Sequence, residues 1–312
     1  MSCTILWQTM TKDEWNVHLN ACPHSTLLQS YYYAQAMREC HQQTSRHGLI
    51  IINGEKAGIV QTQEVSLLKG FIHAITIDRG PLWFKNFGNP AHINDFIQSL
   101  DDQYPSRWGR KRRFIPEIYE RKQLIEFKNW TKNKNSQNYE TFLIDLKPNI
   151  DVIRSNLKQK WRNILNKAEK HDLDIQTDTE LSTLSEFLKY YVQDKYNKHY
   201  KGASFKFLTS LAKYAAIDQN CIIITAREDG EPIASALIFI HGKGATYQCG
   251  WVTPYGRDKG ANHLVLWQAI NALKECGVTF FDLGGFNDQT DGLKKFKDGL
   301  GGHAIALIGS YS

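Results

Sequence analysis

The window whose residue types and spacing most directly suggest chemistry is Trp251-Val252-Thr253-Pro254-Tyr255-Gly256-Arg257-Asp258-Lys259-Gly260-Ala261-Asn262, which follows an expected strand and opens an expected helix. Two glycines and two cations at a helix N-terminus offer backbone N–H groups and positive charge to a phosphate. The plain alternative is a glycine-bearing turn with solvated cations. A second candidate is Arg79-Gly80-Pro81, a turn that would present Arg79 to the pyrophosphate of a sugar nucleotide or lipid-linked precursor, because a guanidinium grips phosphate oxygens in a two-pronged way. An ion-paired arginine at an ordinary turn reads equally well from these residues.

A third feature is the run Arg107-Trp108-Gly109-Arg110-Lys111-Arg112-Arg113, with five cations in seven residues. Cations beside a stacking ring suit RNA. On a strand, alternation sends Arg110 and Arg112 to one face and Lys111 and Arg113 to the other, so half at most line one groove. The competing reading is a solvated edge strand whose charges discourage edge pairing.

These residues need a scaffold. At roughly 150 residues per domain, 312 residues suggest two domains, and 42% hydrophobic with 22% charged residues is globular composition, which excludes a disordered tail protein. Lys plus Arg is 38 against 32 for Asp plus Glu, a net +6 compatible with a polyanionic partner without demanding one. Apolar stretches such as Leu49–Ile52 and Leu237–Ile240 fall far below the ~18 residues of a membrane span, and no charged-then-apolar leader opens the sequence, so a cytoplasmic protein is expected. Six scattered cysteines without C-x-x-C, and eleven histidines without H-E-x-x-H, predict free thiols and no structural metal.

The spacing predicts two short helices over 11–37, a hairpin over 49–68 turning at Asn53-Gly54, a strand over 71–77, a helix over 91–100, a strand over 107–118 and another over 139–146. Lys147-Pro148-Asn149 marks the domain seam, giving domains 1–147 and 148–312. Beyond it come a long helix over 150–171, helices over 180–196 and 205–217, and strands over 221–228, 232–241 and 245–251. The glycine-bearing loop, a helix over 261–276, a strand over 279–283, a short helix over 292–300 and a strand over 304–310 complete the chain. The fold class is α/β or α+β, with helices outside mixed sheets; both halves have this make-up, as a divergent duplication would leave it.

The order of strand, Arg257-x-x-Gly260-Ala261, helix and strand resembles the GNAT N-acyltransferase fold, whose pyrophosphate loop reads Q/R-x-x-G-x-G/A; Asn262 departs from that pattern. Phe280-Phe281-Asp282-Leu283-Gly284-Gly285, followed by Gly292-Leu293-Lys294-Lys295-Phe296-Lys297-Asp298-Gly299-Leu300-Gly301-Gly302, resembles the ending of the FemABX family, tRNA-dependent aminoacyltransferases that build peptidoglycan cross-bridges. Leu27-Leu28-Gln29-Ser30, Asp78-Arg79-Gly80-Pro81 and Lys160-Trp161-Arg162-Asn163-Ile164-Leu165-Asn166-Lys167-Ala168-Glu169-Lys170 agree with it, so the resemblance spans nearly the whole chain.

This resemblance implies two tandem GNAT-like domains, the first binding the acceptor and the second the donor. It implies transfer of an amino acid from aminoacyl-tRNA, a co-substrate rather than a cofactor, to an amine of a UDP- or lipid-linked envelope precursor. Lys297 and Phe296 match the family's pair at the tRNA acceptor end, where the ring can stack on a base and the ammonium meet a phosphate or an oxyanion. Phe296 in the core and Lys297 at the surface is the ordinary alternative. Asp282, a carboxylate ending a strand, is a catalytic or a structural group. Arg162 and Lys160 would face an anionic acceptor, or lie on the solvated side of an amphipathic helix. Arg257, Gly260, Ala261 and Lys297 would hold the donor. Two other functions fit the same residues: an acyl-CoA-dependent N-acyltransferase acting on an amino sugar, and a non-catalytic RNA- or precursor-binding protein.

Overall fold

The computed structural model describes residues 2–120, 127–134, 136–286 and 291–312, and the chain divides into two units. The first comprises residues 1–140, 241–243 and 305–312; the second comprises 141–240 and 244–304. The division therefore falls at Glu140–Thr141 rather than near Lys147, because the strand Glu140–Asp145 pairs with Phe280–Asp282 of the second unit.

The first unit runs β1 (Cys3–Trp7), α1 (Lys12–Ala21), α2 (Tyr31–His41), β2 (Thr44–Ile52), β3 (Glu55–Leu67), β4 (Ile72–Asp78), β5 (Leu82–Trp83), α3 (Pro90–Gln103) and β6 (Arg110–Ile115). Its sheet order is β1-β2-β3-β4-β6, with β5 paired to β3. Asn53 and Gly54 both take positive φ, the geometry of a two-residue hairpin turn, and so join β2 to β3. Thr11 and Glu14 form a reciprocal capping box on α1, and Asn89 caps α3 immediately before Pro90. The apolar face of α3 (Ile93, Phe96, Ile97, Leu100) packs on a core with Ile5, Ile50, Ile75 and Phe114. The parallel pair β4–β6 is spanned by α3, since parallel neighbours need a crossover.

The second unit runs β7 (Glu140–Asp145), α4 (Ile150–Asn156), α5 (Gln159–Ala168), β8 (Asp174–Asp178), α6 (Leu184–Asn197), α7 (Phe205–Ala216), β9 (Cys221–Glu228), β10 (Glu231–His241), β11 (Gly244–Val252), α8 (Pro254–Asp258), α9 (Ala261–Glu275), β12 (Phe280–Asp282), α10 (Asp291–Asp298) and β13 (His303–Ala306). Its sheet order is β13-β7-β12-β11-β10-β9-β8. The nearly continuous apolar strands β9 and β10 are buried along most of their length, and α9 contributes Val265, Leu266, Ala269, Ile270 and Leu273 to the same core.

Three local expectations change. The helix expected over 150–171 is two helices, broken where Leu157 turns extended (ψ 135°) and the Lys158 amide donates to the Gly299 carbonyl. Gly301, at φ +76°, sits in that corner, and a Cβ there would lie 2.2 Å from the Asn156 carbonyl oxygen. The glycines of the Phe296–Gly302 segment thus admit close backbone approach. The expected loop after β11 contains α8, capped by the Thr253 hydroxyl on the Gly256 amide. The basic strand is confined to 110–115.

Candidate active site

Parallel strands β11 and β12 pair over Gly244–Thr246 and Phe280–Asp282, after which β12 stops and β11 continues to Val252. The chain leaves β12 through a turn at Gly284, close against the Tyr247 carbonyl. Asp282, buried, organises this turn: its Oδ1 accepts from the Gly284 amide at 2.9 Å and from the Thr141 hydroxyl of β7 at 2.6 Å. Thr141 Oγ1 also lies 3.0 Å from the Gly284 carbonyl oxygen.

Lys297 reaches this turn from α10. Its side chain is buried, and Nζ donates to the carbonyls of Gly284 at 2.8 Å and Gly285 at 3.1 Å. The same Nζ stands 5.7 Å from the centre of the Tyr247 ring. Burial lowers the ammonium to about 8, with the nearby Asp282 carboxylate pulling in the opposite direction. Lys297 is therefore mostly charged at neutral pH and releases its proton more readily than a surface lysine.

An ammonium has three donors. Two are fixed on carbonyls, and among the described residues no hydrogen bond takes the third. Tyr247 is held protonated, because burial raises its phenol well above the ordinary value, with Cys249, Asp194 and Tyr191 adding to the effect. Tyr200 donates to Asp194 Oδ2 at 3.3 Å, and Tyr191 donates to the Ala203 carbonyl at 3.2 Å. These tyrosines, on and after α6, lie near the β11 residues beyond the point where the strands part.

Phe296 turns away from this turn into an aromatic cluster. Its ring meets His263 edge-on at 5.1 Å and lies 6.1 Å from Trp161. Burial holds His263 at about 4, so the ring is neutral at pH 7, and its Nδ1 lies 3.1 Å from Asn262 Oδ1. The buried Trp161 Nε1 has no hydrogen-bond partner among the described residues.

The expected donor loop is a short helical turn followed by a glycine packed on α5. Arg257 is exposed on α8, while Gly260 and Ala261 are buried. Gly260 is left-handed (φ +72°), and a Cβ there would lie 3.0 Å from Ile164 Cγ2 and 3.1 Å from Ala168 Cβ of α5. These two residues pack the start of α9 against α5. Lys259 pairs with Glu228 at 3.3 Å.

Lys160 and Arg162 do not converge, because two residues on a helix differ by about 200°. Lys160 is exposed and borders a groove of about 270 Å³ with Gln159, Asn163, Ile164 and Lys167, whereas Arg162 donates to the Ser155 carbonyl at 3.2 Å. In the first unit, Arg79 is buried, and its Nε and Nη2 grip Glu117 at 2.7 and 2.8 Å. Its guanidinium also lies 4.5 Å over the Tyr139 ring. This is the ion-paired alternative, and it turns Arg79 inward. Among the described residues no cluster of His, Cys, Asp or Glu could hold a metal, and no helix is long and apolar enough to cross a membrane.

Sequence reasoning did not find Thr141, Tyr247 or the tyrosines of α6 and its following loop. Thr141 lies 141 residues from Asp282, and no local pattern connects them.

Residues 153–298 match the model of the acetyltransferase (GNAT) domain family. No curated protein sequence matches the chain. Among solved structures it is similar to FemX, with a TM-score of 0.81 and 16% identity over 98% of this chain and 96% of that one. It is also similar to the C-terminal domain of a putative lysylphosphatidylglycerol synthetase from Agrobacterium fabrum (TM-score 0.53, 13% identity, covering 96% and 92%). A third is a tandem GNAT protein from the clavulanic acid biosynthesis pathway (TM-score 0.52, 8% identity, covering 99% and 98%). The chain has a FemABX-like, tandem GNAT fold, with two mixed sheets flanked by helices.

Proposed function

We propose that the chain is a FemABX-type acyltransferase that moves an amino acid from aminoacyl-tRNA to an amine of a cell-wall or surface-polysaccharide precursor. The observation that carries this reading is the buried, carbonyl-clamped ammonium of Lys297 where β11 and β12 part. The likeness to FemX and to a lysylphosphatidylglycerol synthetase domain supports an aminoacyl donor. The GNAT match supports acyl transfer more generally.

In the reaction the acceptor nitrogen attacks the ester carbonyl carbon, a C–N bond forms, and the carbonyl oxygen becomes an oxyanion. Collapse breaks the C–O bond to the ribose, and the proton lost by the amine ends on the ribose oxygen. Lys297 offers its third N–H to the oxyanion, in a site where burial strengthens the interaction. A pKa near 8 also suits it to pass a proton to the departing oxygen. Tyr247, held protonated, supplies a second donor, its O–H. Asp282 and Thr141 act by fixing the Gly284 turn. The acceptor's own chemistry assists loss of the amine proton. The first unit takes the acceptor and the second the donor, with Lys160 and Lys167 flanking a groove suited to an anionic group.

The second reading is an acyl-CoA-dependent N-acyltransferase acting on an amino sugar, supported by the GNAT match. The departure of Asn262 from the pyrophosphate-loop pattern argues against it.

Thermal stabilisation by ligands separates the two, since a molecule that binds only the folded chain raises its melting temperature. A shift with UDP-linked muropeptide or charged tRNA is expected. A shift confined to coenzyme A, acetyl-CoA and UDP-amino sugars overturns the aminoacyl reading in favour of the second.

A further inference from the structure

Among the described residues of the first unit, five of the seven exposed large apolar side chains gather at one end of its sheet, Leu6 and Val17 lying elsewhere. Leu67 and Ile72 are cross-strand partners at the tip of the β3–β4 hairpin, and Leu68 and Phe71 lie in the turn between them. Trp108, in the segment leading into β6, packs its ring on Phe71 with centroids 5.0 Å apart. These five side chains are between 46% and 72% exposed, except Trp108 at 79%. Clusters of this kind mark interaction sites, whereas single exposed apolar residues do not.

The tip is built to hold this shape. Leu68 and Lys69 take left-handed φ of 51° and 54°, a conformation that costs a branched or long side chain energy and turns Leu68 outward. Arg107 ties the two segments together, with Nη1 donating to the Phe71 carbonyl at 2.9 Å and Nη2 to the Gly70 carbonyl at 2.5 Å. The His73 amide donates to the Gly109 carbonyl at 2.8 Å, and Gly109, at φ +78°, has no room for a Cβ, which would lie 2.5 Å from the Phe71 carbonyl oxygen.

The rim is mainly basic, with one carboxylate, Glu64, behind it, bonded to His73 at 3.1 Å. Residues 67–73 and 105–111 contain Lys69, Arg107, Arg110 and Lys111 and no acidic residue. Among the described residues none of these four forms an ion pair, and Arg107 and Arg110 donate only to carbonyls and to His73. By contrast Arg112 and Arg113, farther along β6, are neutralised by Asp101 and Asp78.

We propose that this tip docks on an anionic lipid bilayer, with Leu68, Phe71, Ile72 and Trp108 entering the interface and Lys69, Arg107, Arg110 and Lys111 meeting lipid phosphates. A convex knob of aliphatic side chains around one exposed indole, ringed by cations, matches the polarity gradient of a membrane surface. RNA fits less well: three of the five apolar side chains are aliphatic and offer no stacking face, and Arg112 and Arg113 are already held by carboxylates. The proposal is independent of the transfer chemistry.

Flotation of the full chain with vesicles of phosphatidylcholine and phosphatidylglycerol in equal parts tests it, beside vesicles of phosphatidylcholine alone. The wild type floats with the anionic vesicles, and the bound fraction falls as salt is raised. One cation near such a surface strengthens binding roughly fivefold, so Lys69→Glu/Lys111→Glu weakens it at least about tenfold. Leu68→Ser/Trp108→Ser, with a melting temperature matching the wild type, weakens it by a similar factor. Equal flotation of wild type and either double variant overturns the proposal. So does binding to an RNA oligonucleotide, or self-association in sedimentation, that both double variants abolish while the wild type leaves vesicles unbound.

Discussion

Lys297 Nζ lies 2.8 Å from the carbonyl oxygen of Gly284, the residue whose amide is held by Asp282. Among the described residues the cation makes no ion pair; a turn at the end of β12 positions it, and Asp282 both holds that turn and draws the Lys297 pKa upward. Two donors anchor the ammonium, and among the described residues no hydrogen bond takes the third.

The pH dependence of stability reports this environment. Lys297 has a folded pKa of about 8 against 10.5 for the free side chain. Between those values the unfolded chain still holds a proton that the folded chain has released, so stability rises with pH across the window. Lys297→Met lacks this contribution. Urea unfolding at both ends of the window should show the wild type gaining about 3 kcal/mol relative to the variant, and parallel curves would remove the buried ammonium from the account.

Asp282→Asn keeps the turn's shape but removes the charge that draws the Lys297 pKa upward. The alkaline limb of the transfer rate should therefore move to lower pH, with the rate below it reduced about tenfold or more. A merely structural Asp282 would lower the rate without moving the limb.

Glu117 gives an acid-side prediction. Burial pushes its carboxyl up, but Arg79 and then His24 overcome this and hold it at about 2. Its contribution is present above the ordinary value of 4.5 and is lost as pH falls toward 2. Glu117→Gln leaves Arg79 buried without its counter-ion, so a loss of roughly 3–5 kcal/mol is expected in chemical denaturation at neutral pH. A loss below about 1 kcal/mol would show that Arg79 finds another partner.

Gly260→Ala separates packing from phosphate binding. A methyl group at φ +72°, 3.0 Å from Ile164, strains the α5–α9 contact, so the melting temperature is expected to fall while the affinity for coenzyme A stays unchanged. Tight coenzyme A binding by the wild type that the substitution abolishes would contradict this.

The fold was legible where local rules are strong. Asn53-Gly54 announced the β2–β3 hairpin, and apolar runs located β9, β10 and α9 to within one or two residues. The strand β8 was not legible because Asp174-Ile175-Gln176-Thr177-Asp178 is almost wholly polar and gains its structure by pairing with β9. The break between α4 and α5 escaped because its cause, the Gly299–Gly302 segment, lies some 140 residues away in sequence. Lys297 and Asp282 were marked by motif, but the carbonyl clamp, Thr141 and the inward pairing of Arg79 with Glu117 are tertiary facts with no local signature.

The most direct measurement of the central claim is turnover. Purified protein is incubated with aminoacyl-tRNA and UDP-linked muropeptide, and products are followed by mass spectrometry beside Lys297→Met. The expected product is a muropeptide heavier by one aminoacyl residue, with the variant at least about a hundredfold slower. Wild-type rates in Lys297→Met, or turnover only with acetyl-CoA and an amino sugar, would contradict it.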